Sequence, residues 1–350
     1  MAPTTSRHWV LARKPAGRPI ITGPGATFEL ITQPIPALEE EEVLLKVLFL
    51  SNDPAQRMWI NPNIHPERLY TAPVEIGETM RSYSSIAEVV ESKSNTLPVG
   101  ALVCATTGWC EYVVMPAETA MRVEPVDDLS PTHFSGIFGI AGVTAYYGLV
   151  DIVKAGPEDI VVISGAAGAV GSVAVQIAKN ILGCRKVIGI AGTDAKCQWV
   201  ESLGADVCLN YKSKTFTKDL NRATDGFVEV FFDNTGGEIL DLMLTRMKRE
   251  GRVAACGAIA DYNSQTPIGI KNWYDVIGMR LHVKGFVVTD AGSARWATIV
   301  GALVQSYREG KIRVAEDGQT IVPTAFEDIP KTWMRLFDGQ STGKLLTKLV

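Results

Sequence analysis

Apolar positions recur with two different periods along this chain. From residue 159 to about 288, short β-branched runs alternate with stretches whose apolar residues repeat at helical spacing, the pattern of βαβ units around a parallel sheet. Six strands are predicted, over residues 159–164, 186–191, 206–210, 226–233, 251–257 and 281–288. Helices are predicted near 170–181, 195–203, 216–223 and 239–247, giving right-handed crossovers of ordinary length and a complete doubly wound domain. The first 130 residues read differently: alternating strands at 43–48, 85–91 and 110–114 are separated by Pro- and Gly-rich turns, without crossover helices. After about residue 311, strand-like pieces return at 320–323 and 345–349 around one amphipathic helix at 329–337. The expected organisation is a β-rich domain over 1–130, a doubly wound domain over 131–305, and a return to the first domain over 306–350.

One stretch imitates a membrane span. Residues 160–178 are almost wholly apolar or small, near the roughly 20 residues that a membrane helix needs. Ser164, Gly165, Gly168, Gly171, Ser172 and Gln176 break it into a β-branched run, a glycine turn and a helix face built from Val170, Val173, Ala174 and Ile177, so no membrane partner is expected. A length of 350 residues, 46% of them hydrophobic, supplies two substantial cores. The formal net charge of −4 comes from mixed acids and bases without a Lys/Arg-rich block, which argues against nucleic acid as a partner. The first 20 residues lack the apolar stretch of a secretory signal, and a cytoplasmic protein is the expectation. Cys104, Cys110, Cys184, Cys197, Cys208 and Cys256 show no CxxC spacing, so neither a disulfide framework nor a zinc ribbon is suggested, and most are expected as buried thiols.

The turn Ala166-Ala167-Gly168-Ala169-Val170-Gly171 follows a predicted strand and opens a predicted helix, the setting in which a GxGxxG-like sequence binds a dinucleotide. Gly168 lets the backbone approach a pyrophosphate, Gly171 permits close packing of helix on strand, and the helix N-terminus offers N–H groups and a partial positive charge. Ala166 stands where the first glycine belongs, so the hexapeptide alone also fits a tight turn without a ligand. An NAD site normally places an acid at the end of the second strand to hold the ribose 2′-hydroxyl. Here that place is Ala191-Gly192-Thr193, while Lys196 and Tyr211 offer a cation and an aromatic hydroxyl to a 2′-phosphate. The cofactor expected is therefore NADPH/NADP+. Asp194 has two readings, a displaced NAD acid or a capping residue on the first turn of the following helix.

Nine segments taken together resemble one family: Leu50-Ser51-Asn52-Asp53-Pro54, Gly77-Glu78-Thr79-Met80, Thr144-Ala145-Tyr146, the glycine turn, Asn210-Tyr211-Lys212, Phe232-Asp233-Asn234, Cys256-Gly257-Ala258-Ile259, Asp261-Tyr262-Asn263 and Gly343-Lys344. The chain resembles the zinc-free medium-chain dehydrogenase/reductases, in the branch of prostaglandin reductases, alkenal double-bond reductases and curcumin-type reductases. The resemblance runs nearly end to end and implies an α/β fold, a Rossmann doubly wound parallel sheet inserted into a β-rich GroES-like catalytic domain. It implies that Ala169, Val170, Gly171 and Ser172, with Gly168, hold the pyrophosphate, and that Lys196 and Tyr211 hold the 2′-phosphate. It also implies that Asn234, Cys256, Gly257, Ala258, Ile259, Phe286, Val287 and Val288 contact the adenosine and nicotinamide portions. Taken singly, Cys256 reads as a core thiol, Asn234 as a turn former and Phe286 as a buried strand residue.

Zinc-dependent relatives carry a cysteine ligand near Ser51-Asn52-Asp53, a Gly-His-Glu segment near Gly77-Glu78 and often a four-cysteine lobe. This chain has none of these, and His8, His65, His133 and His282 show no ligand spacing, so no metal is expected. Without a metal to polarise a hydroxyl, reduction of a conjugated C=C bond fits better than alcohol oxidation. Hydride addition at the β-carbon leaves an enolate that needs a hydrogen-bond donor at oxygen and a proton at the α-carbon. Tyr262, just after the fifth strand at the carboxyl edge of the sheet, is the candidate donor; the resemblance implies that its hydroxyl lies near the substrate oxygen, and without it Tyr262 is a loop aromatic. Asn52 and Arg57 are expected in the substrate pocket, where Ala55-Gln56 replace the family's Tyr-Met and remove an aromatic from the wall. Ser341 stands where the family has an asparagine, with a shorter reach toward the nicotinamide. The rival readings are a quinone reductase of the same superfamily and a non-catalytic NADPH-binding protein. The family commonly pairs through the last strand of the cofactor sheet, so a homodimer acting on a small-molecule enal or enone is expected.

Overall fold

Antiparallel pairing dominates the first of the two compact units into which residues 3–350, those described by the computed structural model, divide. This unit holds the chain through Ser135 together with Thr320–Val350. Its strands are β1 (Thr5–Leu11), β2 (Phe28–Pro34), β3 (Glu42–Ser51), β4 (Arg81–Ser92), β5 (Leu102–Gly108), β6 (Tyr112–Pro116) and β7 (Ala120–Arg122), with Gln319–Thr324 and Lys344–Leu349 added from the C-terminal segment. β1 and β2 pair with each other, and β3 is the axis of a seven-stranded sheet, bonded to β4, β6 and Lys344–Leu349. Having neighbours on both sides, β3 carries a nearly continuous aliphatic run, Val43-Leu44-Leu45 and Val47-Leu48-Phe49-Leu50.

An aromatic cluster locks the returning segment to this sheet. The helix Ile329–Met334 delivers Trp333, fully buried, whose ring lies 5.6 Å from Trp109, 5.9 Å from Phe28 and 5.2 Å from Phe337. Its indole N–H donates to the Asp53 carbonyl at 3.4 Å. The predicted helix at 329–337 is therefore present but ends at Met334, and the predicted strands at 43–48, 85–91 and 110–114 lie within or across β3, β4 and β6.

The second unit, Gly136–Gln319, is the doubly wound domain. β8 (Ile160–Ile163), β9 (Lys186–Ala191), β10 (Val207–Asn210), β11 (Val228–Asp233), β12 (Met247–Ala255) and β13 (His282–Gly285) form an all-parallel sheet in the order β10-β9-β8-β11-β12-β13. The order reverses between β8 and β11, and ligands of such sheets bind at the carboxyl ends of the strands at that point. Helices Ala169–Gln176, Asp194–Ser202, Phe216–Ala223 and Gly237–Leu244 follow β8, β9, β10 and β11. The stretch 160–178 is β8, the glycine turn and the first of these helices. Among the described residues no helix is long and apolar enough to cross a membrane.

Three elements depart from expectation. The helix after β8 is α-helical only to Gln176 and continues as a wider π turn, Ile177–Ile181. The predicted helix at 239–247 ends at Leu244, because buried Met247 already begins β12 and pairs with Val228 ahead of a register shift. The helix Gly292–Arg308 is not predicted at all: it buries only Ile299, Leu303 and Ser306, a stripe too thin to register as a period. Tyr307 on this helix packs against Phe138 at 6.2 Å, both within the second unit. The boundary expected at 305/306 thus falls inside a helix, and the division lies at Gln319/Thr320; the one expected at 130/131 lies at Ser135/Gly136.

Trp333→Ala should destabilise the first unit by about 3–5 kcal/mol, the range for truncating a buried aromatic. Its denaturant midpoint by tryptophan-independent circular dichroism checks this, and a midpoint near wild type would remove Trp333 as the anchor of the returning segment.

Candidate active site

The glycine turn is built by close approach. A Cβ placed at Gly171 would fall 2.2 Å from the Gly165 carbonyl oxygen, so only glycine lets the helix Ala169–Gln176 start this tightly against the end of β8. Gly168 is its N-cap and supplies no side-chain cap to the first-turn N–H groups. These donors and the helix dipole are available to an anion. Ala169, Val170 and Gly171 form that first turn, and the Ser172 hydroxyl is buried just behind it.

One strand over, β9 ends at Ala191 without an acid. Thr193 caps the next helix by accepting the Lys196 N–H at 3.2 Å, which fixes Lys196 on the first turn. Burial, and secondarily the nearby Lys212 ammonium, lower the pKa of Lys196. Tyr211, 44% exposed, follows β10. Two cations and a phenol are gathered here, a donor set suited to a phosphate.

A buried carboxylate organises the reversal point. Asp233, at the end of β11, is 1% exposed and accepts hydrogen bonds from the Ser164 hydroxyl at 2.8 Å, the Thr235 N–H at 3.0 Å and the Gly236 N–H at 3.0 Å. Burial holds its pKa above the usual carboxylate value against the pull of these donors. Ser164 also holds Asn234 twice, accepting its N–H on the hydroxyl at 2.8 Å and its side-chain amide on the carbonyl at 2.7 Å. The Asp233 carbonyl accepts the N–H groups of Cys256 at 2.9 Å and Gly257 at 3.1 Å. Asn234 and the Cys256-Gly257-Ala258-Ile259 segment are thereby brought together. The Tyr262 phenol oxygen accepts the Ala258 N–H at 3.2 Å, and burial raises the pKa of that phenol. Phe286 sits after β13 with its ring against Phe232 at 6.1 Å and Tyr147 at 6.0 Å, so the ring is engaged in packing; Val287 and buried Val288 lead into a short 3-10 turn.

The remaining expected residues lie in the first unit. Asn52, 2% exposed just after β3, donates to the Thr347 hydroxyl at 3.0 Å, and its side-chain oxygen has no hydrogen-bond partner among the described residues. Ser341 precedes the strand Lys344–Leu349. Arg57, expected in the substrate pocket, has its side chain fully buried, where it donates to the carbonyls of Pro15 at 2.9 Å and Gly17 at 2.7 Å and burial lowers its pKa to about 10. It clamps the loop after β1.

Zinc does not fit these residues. Among the described residues no group of three or more His, Cys, Asp or Glu is arranged to hold a metal. Asp53, in the segment near which zinc-dependent relatives carry a cysteine ligand, accepts the buried Lys344 ammonium at 2.6 Å and the Ser51 hydroxyl at 2.5 Å. Burial pushes the Cys104, Cys110 and Cys256 thiols up to about 12 and Cys184 to about 11, and raises Cys197 and Cys208 as well. Sequence reasoning quoted Asp233, Ser164, Thr193 and Lys344 without giving any of them a role in the site; the acid closing the Phe231-Phe232-Asp233 run was the available signal for the first.

Comparison with known proteins agrees with this architecture. Residues 7–123 match a family described as the N-terminal domain of oxidoreductase, and residues 169–306 one described as zinc-binding dehydrogenase. Prostaglandin reductase 1 of Bos taurus is 36% identical over 347 residues, spanning 98% of this chain and 99% of the relative. NADPH-dependent curcumin reductase of Escherichia coli is 29% identical over 350 residues, spanning 98% and 97%. The crystal structure of CurA from Vibrio vulnificus in complex with NADPH matches with a TM-score of 0.88 at 30% identity, over 98% of this chain and 99% of that one. The chain belongs to the zinc-free medium-chain dehydrogenase/reductases, in the branch of the prostaglandin and curcumin reductases, and is an oxidoreductase. Its own residues fit a phosphorylated dinucleotide, through the uncapped helix N-terminus after Gly168 and the cations beside Tyr211.

Arg57→Ala leaves two buried carbonyls without their donor and should cost about 2–4 kcal/mol of stability, with NADPH affinity unchanged. Calorimetric unfolding and cofactor titration check this; full stability with altered substrate preference would return Arg57 to the pocket.

Proposed function

We propose that this oxidoreductase uses NADPH to reduce the C=C bond of α,β-unsaturated aldehydes or ketones, with Tyr262 as the hydrogen-bond donor to the substrate oxygen. NADPH is the cofactor, and when bound it supplies the hydride received by the β-carbon. Gly168, Ala169, Val170, Gly171 and Ser172 would hold its pyrophosphate, and Lys196 with Tyr211 its 2′-phosphate. Asn234, the Cys256–Ile259 segment and the backbone at Phe286, Val287 and Val288 would border the rest.

The state of Tyr262 carries the reading. Its oxygen is engaged as an acceptor by the Ala258 N–H, which orients the phenol and leaves its own proton to donate elsewhere. Burial raises its pKa, so it remains a neutral donor throughout the neutral range. As electrons move from the β-carbon toward the carbonyl, charge accumulates on oxygen, and a donor already oriented there binds the enolate more strongly than the ground-state carbonyl. Names of the relatives, prostaglandin reductase 1 and curcumin reductase, support an activated double bond as the substrate. A panel of enals, enones and quinones, followed by NADPH consumption, tests the class: quinones turned over faster than every enal and enone would replace it with quinone reduction. We also propose a homodimer through β13, an edge strand exposed at all four residues that follows a helix with Trp273, Tyr274 and Ile277 exposed.

Tyr262→Phe should lower turnover of an enone by about 10²–10³-fold, the usual loss of one such donor, with NADPH affinity nearly intact; unchanged turnover would remove Tyr262 from the reaction. Because the phenol pKa is raised, wild-type turnover should hold through neutral pH and fall only above the ordinary tyrosine value of 10. An alkaline limb below that value, still present in Tyr262→Phe, would belong to another group. Light scattering should give twice the chain mass for the wild type and the single mass for Val283→Lys; a monomeric wild type ends the dimer reading.

A further inference from the structure

We propose that Asn210 sets the preference for the 2′-phosphorylated cofactor by holding the Asp194 carboxylate aside, an inference that rests on Lys196 and Tyr211 receiving the 2′-phosphate. The sequence leaves Asp194 with two readings, and geometry decides between them. Asp194 is exposed on the first turn of the helix after β9, three residues beyond Ala191 and two before Lys196. That is close to where NAD-binding sheets place the acid that bonds the ribose 2′-hydroxyl and repels a phosphate. It does not serve as the helix cap, because Thr193 does.

Instead, the carboxylate is held by the neighbouring strand. The Asn210 side-chain amide donates to Asp194 Oδ1 at 2.7 Å, while its Oδ1 accepts the Lys212 N–H at 3.0 Å. A single neutral side chain at the end of β10 thus bridges the acid to the turn that carries Tyr211 and Lys212. On that turn the Tyr211 ring lies against Gly192, where an added Cβ would come within 3.1 Å of it, and Lys212 Nζ is 5.7 Å from the ring centroid. Lys212 is also near enough to Lys196 to depress its ammonium, after the larger effect of burial. Lys212 thus lies near both the Tyr211 ring and Lys196, and the Asp194 carboxylate beside them is bonded from the end of β10. Removing the amide would release a negative charge beside a bound dianion, a penalty that NAD+, with its 2′-hydroxyl, escapes.

Calorimetric titration of the full chain with NADP+ and with NAD+ tests this without turnover. Asn210→Ala should lower the ratio of NADP+ to NAD+ affinity by about tenfold, the order of one misplaced like charge near the surface. Asn210→Asp, which still accepts the Lys212 N–H but cannot donate to Asp194, should lower it as well. Adding Asp194→Asn to Asn210→Ala should recover most of the lost ratio, because the freed side chain is then neutral. A ratio unchanged in both Asn210 variants, equal weakening of the two nucleotides, or no recovery in the double variant overturns the proposal. Lys196→Ala separates the two levels. If it leaves the ratio at the wild-type value, the 2′-phosphate reading fails and the role of Asn210 with it; if it lowers the ratio while the Asn210 variants do not, only the role of Asn210 fails.

Discussion

A charged carboxylate buried at the centre of a parallel sheet is costly unless its oxygens are satisfied, and Asp233 is satisfied by Ser164, Thr235 and Gly236. Those donors come from the ends of two adjacent strands, β8 and β11, at the reversal of strand order. Several of the expected cofactor contacts on this edge are tied to that pair by hydrogen bonds or by direct chain continuity. Ser164 leads directly into the glycine turn and holds Asn234; the Asp233 carbonyl holds Cys256 and Gly257; Ala258, next in line, holds the Tyr262 phenol. The site is thus positioned by satisfying one acid, with the apolar sheet beneath it supplying rigidity.

Much of this was legible because parallel strands covered on both faces leave unambiguous β-branched runs. All six strands of the second unit and its four crossover helices are visible in the sequence, as are the glycine turn and the missing acid after β9. What was not legible is long-range. The helix Gly292–Arg308 buries three residues on one stripe, too few to show a period, and the β1–β2 pair is defined by a partner about twenty residues away. Charged side chains are rarely fully buried, and the partners that bury Arg57 are carbonyls forty positions upstream, which no local pattern encodes. Asp194 could be weighed but not decided, since its bond to Asn210 spans sixteen residues and two elements.

The first unit shows the same economy with a different sign. Lys344 is buried against Asp53, and the strand carrying it pairs directly with β3, which ends at Ser51. A lysine ammonium thus supplies, permanently and covalently, the positive charge that the acid needs.

The elevated thiols have a consequence of their own. Activated double bonds are soft electrophiles that alkylate thiolates, and the thiolate fraction falls tenfold for each unit by which a thiol's pKa rises. All six cysteines are held protonated by burial, including partly exposed Cys256 on the segment beside Tyr262. On the proposed reaction such compounds meet this edge at every turnover, and a nucleophile left ionised there would be consumed by them. The packing that makes these thiols poor ligands also makes the protein chemically durable.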